Sequence, residues 1–414
     1  MKFYQLTTQQ RLAQLVAEGQ LSQPDADWWG QNVLLPADVA SHLSENQIGQ
    51  FALPLGVARD LTVNGTIYNV PMATEEPSVV AAASNGARIA KLAGGVTAAT
   101  SAHLVEGEIV FADLPNITQA AALVEERFDA LAEAAKAAHP SIVRRGGGLR
   151  DVICTIIDDF LKITVQVDTQ QAMGANIVNT ICEHLAAVIG GWLQQQALVA
   201  ILTNASDQLT TAKLVVPVAA LATKTDTGAV IAARIAQLSK LAQVDVARAV
   251  THNKGIMNGV NAAVLATGND TRAVAAAVHA YAAARGQYRG LSTWTLDGDT
   301  LLGELALPLP LGVVGGAISA MPAAQHALAL GHYQDVATLQ QVIASLGLVQ
   351  NLAALRALAG PGIQAGHMAL QANALAMQAG ATGAEIQAVA LALQHETKDL
   401  ATAKRLLEKI RIGG

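Results

Sequence analysis

The sequence predicts an α+β protein: a large mixed helix-and-sheet domain, interrupted by a small α+β insert and followed by a wholly helical C-terminal segment. Three observations predict it. Between about residues 104 and 203, strand-like runs alternate with helical runs in a texture unlike either flank. The 414 residues exceed one ordinary domain. Hydrophobic residues make up 52% and aromatics only 3%, so Ala, Val and Leu must supply a large core of closely packed helices and sheets. The boundaries fall at 1–103 with 204–361 for the large domain, 104–203 for the insert, and 362–414 for the helical end.

The elements follow in order. Thr7 and Gln10 have capping-box spacing ahead of Leu12, Leu15 and Val16. Ser22 is a candidate cap for a second helix with Pro24 in its first turn. Residues 60–70 read as a hairpin, since two β-rich runs flank Asn64–Gly65, a pair suited to a type I′ turn. An Ala-rich helix enters at Pro77 and runs to about 93. In the insert, HLVEGEIVFA, DVICTII and LKITVQVD read as strands. ITQAAALVEERFDALAEAAKAA and ANIVNTICEHLAAVIGGWLQQQ read as helices. Strands and long helices return after 204. Thr382 and Glu385 repeat the capping-box spacing before an amphipathic run. No solenoid repeat or low-complexity linker is visible.

Composition excludes several classes. Charged residues are only 14% and the net charge is -6, with no basic stripe for a nucleic acid. So little charge suggests apolar surface hidden in an oligomer. Cys154 and Cys182 sit in apolar runs with no CxxC pair, which favours reduced buried thiols over a disulfide or a metal site. The N-terminus turns polar after four residues and lacks a signal-peptide core. The uncharged stretch 305–334 is broken by three prolines, a Gly pair and two histidines. It reads as a strand, a glycine turn and a helix instead of a membrane span. A cytoplasmic location is expected.

Four segments carry candidate chemistry. In PMATEEPSVVAAASNGA (71–87), Glu75 and Glu76 precede a helix start. Ordinary capping explains them, but one could be a buried proton donor with a raised pKa. In RAVTHNKGIMNGVNAAVLATGND (248–270), Arg248, His252, Asn253, Lys254, Asn258 and Asp270 gather around what reads as an apolar turn. Lys, Asn and Arg together suit a carboxylate substrate and a developing oxyanion; a solvated loop accounts for only one or two of them. In GPGIQAGHMALQA (360–372), His367 lies between Gly362 and Gly366, a spacing that suits a hinge closing over a site. A structural histidine is the plainer reading. RRGGGLRD (144–151) and VDTQQAMGANIVNT (167–180) offer glycine turns whose amides could hold phosphate. Yet neither G-x-G-x-x-G nor G-x-x-x-x-G-K-[ST] occurs.

Together these segments resemble the class II 3-hydroxy-3-methylglutaryl-CoA (HMG-CoA) reductases over nearly the whole chain. The likeness also takes in ENQIG (45–49), ATGND (266–270), PLGVVGGA (310–317) and QNLAALRALA (350–359). It implies that 104–203 is a small nucleotide-binding domain without a standard Rossmann fingerprint. It implies that 362–414 is a mobile flap, and that active sites are built from both subunits of a homodimer or a larger assembly. The implied reaction is the four-electron reduction of HMG-CoA by two NAD(P)H to mevalonate and free CoA. Glu76, Lys254, Asp270 and His367 match the family's catalytic residues. Ser78, Arg248, Asn258 and Asn204 match substrate contacts.

In the implied mechanism, Lys254 stabilises the oxyanion. His367 protonates CoA thiolate and Glu76 protonates the second oxygen. Asp270, between Lys254 and Glu76, tunes both as a coupled unit, and Arg248 holds the substrate carboxylate. Gln171, Met173, Gly174 and Asn176 fall in the cofactor turn. Many members have Asp where this chain has Gln171, which removes one cofactor contact. NADH-using members carry an acid near the position of His139. Here His139, Arg144 and Arg145 favour a 2′-phosphate, so NADPH is expected over NADH. Two alternatives remain: a CoA-thioester reductase releasing an aldehyde, which needs a nucleophilic cysteine, and an inactive helical assembly protein.

Overall fold

A computed structural model describes residues 2–360, 372–393 and 396–412. Its strands are β1 (Leu55–Val63), β2 (Thr66–Ala73), β3 (Thr97–Thr100), β4 (Leu104–Phe111), β5 (Gly148–Ile157), β6 (Phe160–Asp168), β7 (Val199–Leu202), β8 (Leu209–Pro217), β9 (Ser292–Asp297) and β10 (Thr300–Pro308). They make a β1-β2 hairpin and two four-stranded antiparallel sheets, ordered β3-β8-β10-β9 and β5-β6-β4-β7. The α+β class read from the sequence is the one observed.

The hairpin turns at Asn64 and Gly65, both at positive φ (49° and 82°), as a type I′ turn requires. The Thr7 box closes in both directions, Thr7 N donating to Gln10 Oε1 (2.9 Å) and Gln10 N to Thr7 Oγ1 (3.2 Å). Ser22 caps its helix through Asp25 N. The stretch 305–334 is a strand end, a turn at Gly315–Gly316, and two helices, Gly316–Ala320 and Pro322–Leu330.

In sheet β5-β6-β4-β7 the two central strands, β6 and β4, alternate strictly. Val105, Ile109 and Phe111 on β4, with Leu161, Ile163, Val165 and Val167 on β6, point to one buried face. Helices Ile117–Glu126, Phe128–Ala138 and Ala175–Leu193 cover that face. The first two are one helix in the sequence reading; the chain breaks them at Arg127 (φ -104°, ψ 26°). The break lets Ala120 and Val124 reach the sheet together with Leu131 and Ala135. The Arg127 guanidinium lies 4.9 Å from the Trp192 ring, which holds the corner.

The remaining strands share a second core with helices Pro77–Leu92, Gly228–Val244, Val246–Ala266 and Val336–Ala359. Val336–Ala359 is long and apolar enough to cross a membrane, but 78% of its apolar window is buried inside the fold. It is the central helix of the large core. Glycines let helices approach closely there. A Cβ on Gly86 would lie 2.1 Å from the Val349 carbonyl oxygen, and one on Gly259 would lie 3.1 Å from Gln350. Helices Ala384–Ala392 and Leu400–Ile412 pack with Ala372 and Ala376 in a third, separate core. Glu385 accepts from Thr382 N and from Arg411 there. His367 lies outside the described residues.

Candidate active site

The segment 248–270 is not a turn. Its residues up to Ala266 belong to one continuous helix, Val246–Ala266, capped by Asp245 on Arg248 N (2.8 Å), and a short turn carries the chain on to Asp270. Its polar residues misled the sequence reading because they divide between two faces. His252 and Asn253 point into the core, while Lys254 and Asn258, one turn apart, face outward.

Opposite stands the start of helix Pro77–Leu92. Pro77 fixes the first turn and leaves Glu76 at the N-cap in an extended conformation. Its carboxylate does not cap the helix. Ser78 Oγ donates a short hydrogen bond to Glu76 Oε1, and the other oxygen faces Lys254, with Nζ to Oε2 at 3.9 Å. Residues 178 positions apart in the chain thus meet as an ammonium–carboxylate pair. The deep burial the sequence reading asks of Glu76 is not reached in a single chain, since its side chain is 39% exposed.

Arg248 is half-buried, and its buried Nε has no hydrogen-bond partner among the described residues. Burial lowers its pKa from the ordinary guanidinium value. The accessible part of this guanidinium can meet a carboxylate ligand.

Asp270 is not brought to this pair. It caps helix Thr271–Ala283 through Arg272 N (2.8 Å) and Ala273 N (3.1 Å), and pairs with Arg272 at 2.9 Å. Burial pushes its pKa up, but the bonds from Arg272 and from the amides of Ala273 and Arg272 outweigh it and hold it below the usual carboxylate value. Lys254 lies twelve residues before the helix end at Ala266, about 18 Å of axial rise. Among the described residues, neither Lys254 nor Glu76 is bonded to Asp270. The three do not form a coupled unit within one chain.

The other candidate residues lie in and beside the insert. Gly174, at φ +93°, opens helix Ala175–Leu193 with no side-chain cap. A Cβ there would sit 2.2 Å from Thr169 Cγ2, so only glycine fits. No side chain caps the first amides of this helix, which sit at the positive end of its dipole. That fits a dinucleotide pyrophosphate. Asn176 is exposed in this first turn. Met173 and Asn204 line a cavity of about 30 Å³ where the chain crosses between the sheets.

Gln171 is engaged elsewhere. Its Oε1 accepts from Val336 N (2.8 Å) and its carbonyl from Val313 N (2.9 Å), tethering the turn to the large core. Arg144 and Arg145 are exposed beside the turn at Gly146, and His139 Nδ1 is 3.2 Å from Ser141 Oγ. Among the described residues no group of three or more His, Cys, Asp or Glu could hold a metal. Burial pushes both thiols up to about 12, with Glu125 adding at Cys154 and Glu183 and Glu108 at Cys182. A thiol so raised is a poor nucleophile, which removes the basis for an acyl-cysteine reductase.

Sequence reading missed Ser292, Trp294 and Asn351, which join His252 in a buried polar cluster behind the lysine. One signal was legible: Gln350–Asn351 interrupts an otherwise apolar helix run, and buried amides need partners.

An ammonium–carboxylate pair on one domain, and a glycine-opened helix N-terminus shaped for phosphate on the other, are the parts of a dinucleotide-dependent oxidoreductase acting on a carbonyl group. Comparison with known proteins fixes the family. The sequence profile described as hydroxymethylglutaryl-coenzyme A reductase matches residues 7–372. The 3-hydroxy-3-methylglutaryl-coenzyme A reductase of Archaeoglobus fulgidus is 41% identical, over 99% of this chain and 94% of its own length. A solved Streptococcus pneumoniae 3-hydroxy-3-methylglutaryl-coenzyme A reductase is 42% identical, with a TM-score of 0.85 and 99% of both chains covered. A second structure from that organism, a class II enzyme bound to NADPH in open conformations, is 43% identical with a TM-score of 0.84, covering 98% of this chain and 100% of the other. The chain belongs to the hydroxymethylglutaryl-coenzyme A reductase family.

Proposed function

We propose that the protein reduces HMG-CoA to mevalonate and free CoA, consuming two NADPH and two protons. The observation that carries this reading is the Lys254–Glu76 pair, at 3.9 Å, on the outward face of the lysine helix. Arg248 holds the free carboxylate of the substrate, and Asn258 and Ser78 border the same face. The Gly174 turn would hold the pyrophosphate of a reduced nicotinamide dinucleotide, which when bound would supply hydride to the thioester carbon. The Lys254 ammonium stabilises the oxyanion that forms there. Collapse breaks the C–S bond. His367, on the C-terminal flap, gives its proton to the departing thiolate, leaving mevaldehyde. In the second reduction the aldehyde oxygen takes its proton from Glu76. Ser78 Oγ and Lys254 Nζ hold the Glu76 carboxyl in place for that transfer.

Asp270 joins this set from a second copy, since in its own chain it caps helix Thr271–Ala283 and pairs with Arg272. Exposed Val246, Val250 and Leu265 on the lysine helix, and Ile48 and Phe51 before β1, support a homodimer. The insert 104–203 is the cofactor domain. Arg144, Arg145 and His139 beside its Gly146 turn select the 2′-phosphate, so NADPH is preferred over NADH. Gln171 serves as a tether and makes no cofactor contact. The protein works in the cytoplasm.

The test is oxidation of NADPH and of NADH by purified protein with HMG-CoA, with the product identified. Mevalonate with NADPH preferred supports the reading. No HMG-CoA-dependent turnover with either cofactor refutes it.

A further inference from the structure

Three polar side chains sit deep in the large core between the lysine helix, β9 and the central helix. His252, Ser292 and Asn351 are each no more than 1% exposed. Burying such groups in an Ala- and Leu-rich core is costly unless each bond is made, so their arrangement needs a reason.

The bonds can be assigned from one end. An indole nitrogen only donates, so Trp294 Nε1, 2.7 Å from Asn351 Oδ1, fixes which way that amide faces. Ser292 Oγ lies 2.9 Å from the same oxygen and gives it its only proton. His252 Nε2, 2.6 Å from Ser292 Oγ, must then be the donor. The imidazole is neutral, with its proton on Nε2 and a buried Nδ1 that meets no partner among the described residues. Burial, assisted by Arg248, holds its pKa at about 4. Next to it, Asn253 Nδ2 donates to Arg289 O (2.8 Å) and Asn253 Oδ1 accepts from Leu291 N (2.8 Å).

The other buried residues of the helix, from Ala249 through Ile256, Met257 and Val260 to Ala266, are all apolar or glycine. Contacts of that kind resist separation but do little against a small roll or slide. Directed bonds to His252 and Asn253 stop both. Lys254 is two residues on, about 200° around the helix, so the roll angle of the pinned face sets where its ammonium projects.

We propose that His252, Ser292 and Asn351 are positioning residues for the reductase reaction: a one-directional hydrogen-bond chain that fixes the lysine helix so that Lys254 meets Glu76 and the reacting carbonyl. This rests on the reading of Lys254 given under Proposed function. None of the three touches substrate.

The test uses the full-length protein and three variants, Ser292→Ala, His252→Phe and His252→Gln. The first two break the chain, while Gln keeps a donor near the place of Nε2. Misplacing a catalytic group by a fraction of an ångström to 1 Å lowers kcat by about tenfold to a hundredfold. That loss is expected for Ser292→Ala and His252→Phe, measured well below their melting midpoints. The KM for NADPH stays within about twofold, because the cofactor turn lies on the insert and not on this helix; the calorimetric Kd for HMG-CoA rises less than kcat falls, since Arg248 and Asn258 share the helix while Lys254 acts on the transition state. His252→Gln recovers most of the loss. Wild-type kcat in Ser292→Ala with only a lower midpoint overturns the proposal. So does a parallel rise in the Kd for HMG-CoA and the KM for NADPH, which marks general loosening. If His252→Phe does not fold, Ser292→Ala, which removes one atom, still separates a selective loss of kcat from general loosening. Wild-type protein inert toward HMG-CoA refutes the functional reading instead.

Discussion

Replacing Lys254 by Met removes the ammonium and keeps nearly the same stem, so it separates what the pair does for the fold from what it does for the reaction. At 3.9 Å the Lys254–Glu76 attraction is only about 1 kcal/mol in water. Both side chains are well exposed, 66% and 39%, where such pairs contribute at most about 1 kcal/mol. Lys254→Met should therefore leave the melting midpoint within a few degrees of wild type. Against a developing oxyanion in a water-excluded site, one preorganised donor is worth about 3–4 kcal/mol, or a factor of about 10²–10³ in kcat. The assay is NADPH oxidation at saturating HMG-CoA, with a thermal melt of the same preparation. A kcat within threefold of wild type refutes the oxyanion role. A midpoint far below wild type shows that the pair holds the fold.

Three further outcomes follow from the same geometry. Arg144→Glu with Arg145→Glu should raise the KM for NADPH by about 10–100-fold and leave that for NADH nearly unchanged, the loss of a charge-assisted contact being about 1.5–3 kcal/mol; paired steady-state kinetics decide it. Gly174→Ala forces a Cβ to within 2.2 Å of Thr169 at φ +93°, so it should cost about 1–3 kcal/mol in chemical denaturation and raise the KM for NADPH without changing the Kd for HMG-CoA. His252 takes up protons at its ordinary value of 6.5 when unfolded but only near 4 when folded. Below pH 6.5 the unfolded state binds more protons, so stability falls with pH, by about 3 kcal/mol in full once pH drops below 4. His252→Gln should flatten that acid limb in urea melts run from pH 7 to 4.

Much of this was legible in the sequence where local rules and tertiary structure agree. Asn64–Gly65 had to turn a hairpin, alternation along 104–111 and 161–167 had to face a core, and Pro77 had to open a helix. The readings that failed did so for one reason: local pattern does not contain what the partner surface demands. Polar residues at 248–258 look like a loop until half of them find buried partners at Arg289, Leu291 and Ser292. The uninterrupted helical pattern of 117–138 breaks at Arg127 because two faces must meet one sheet. The Glu76–Lys254 meeting could be expected only from the family resemblance, since no spacing rule joins positions so far apart. Asp270 marks where one chain alone is not enough. Its sequence neighbours match the family, yet its own chain binds it to Arg272.

The central claim is that a single ammonium–carboxylate pair serves two successive reductions of one substrate carbon. The most direct measurement is stoichiometry: NADPH consumed per HMG-CoA consumed, by purified protein, with the product identified. The account predicts two NADPH per HMG-CoA and mevalonate, with no build-up of free aldehyde. One NADPH per HMG-CoA with released mevaldehyde would contradict it.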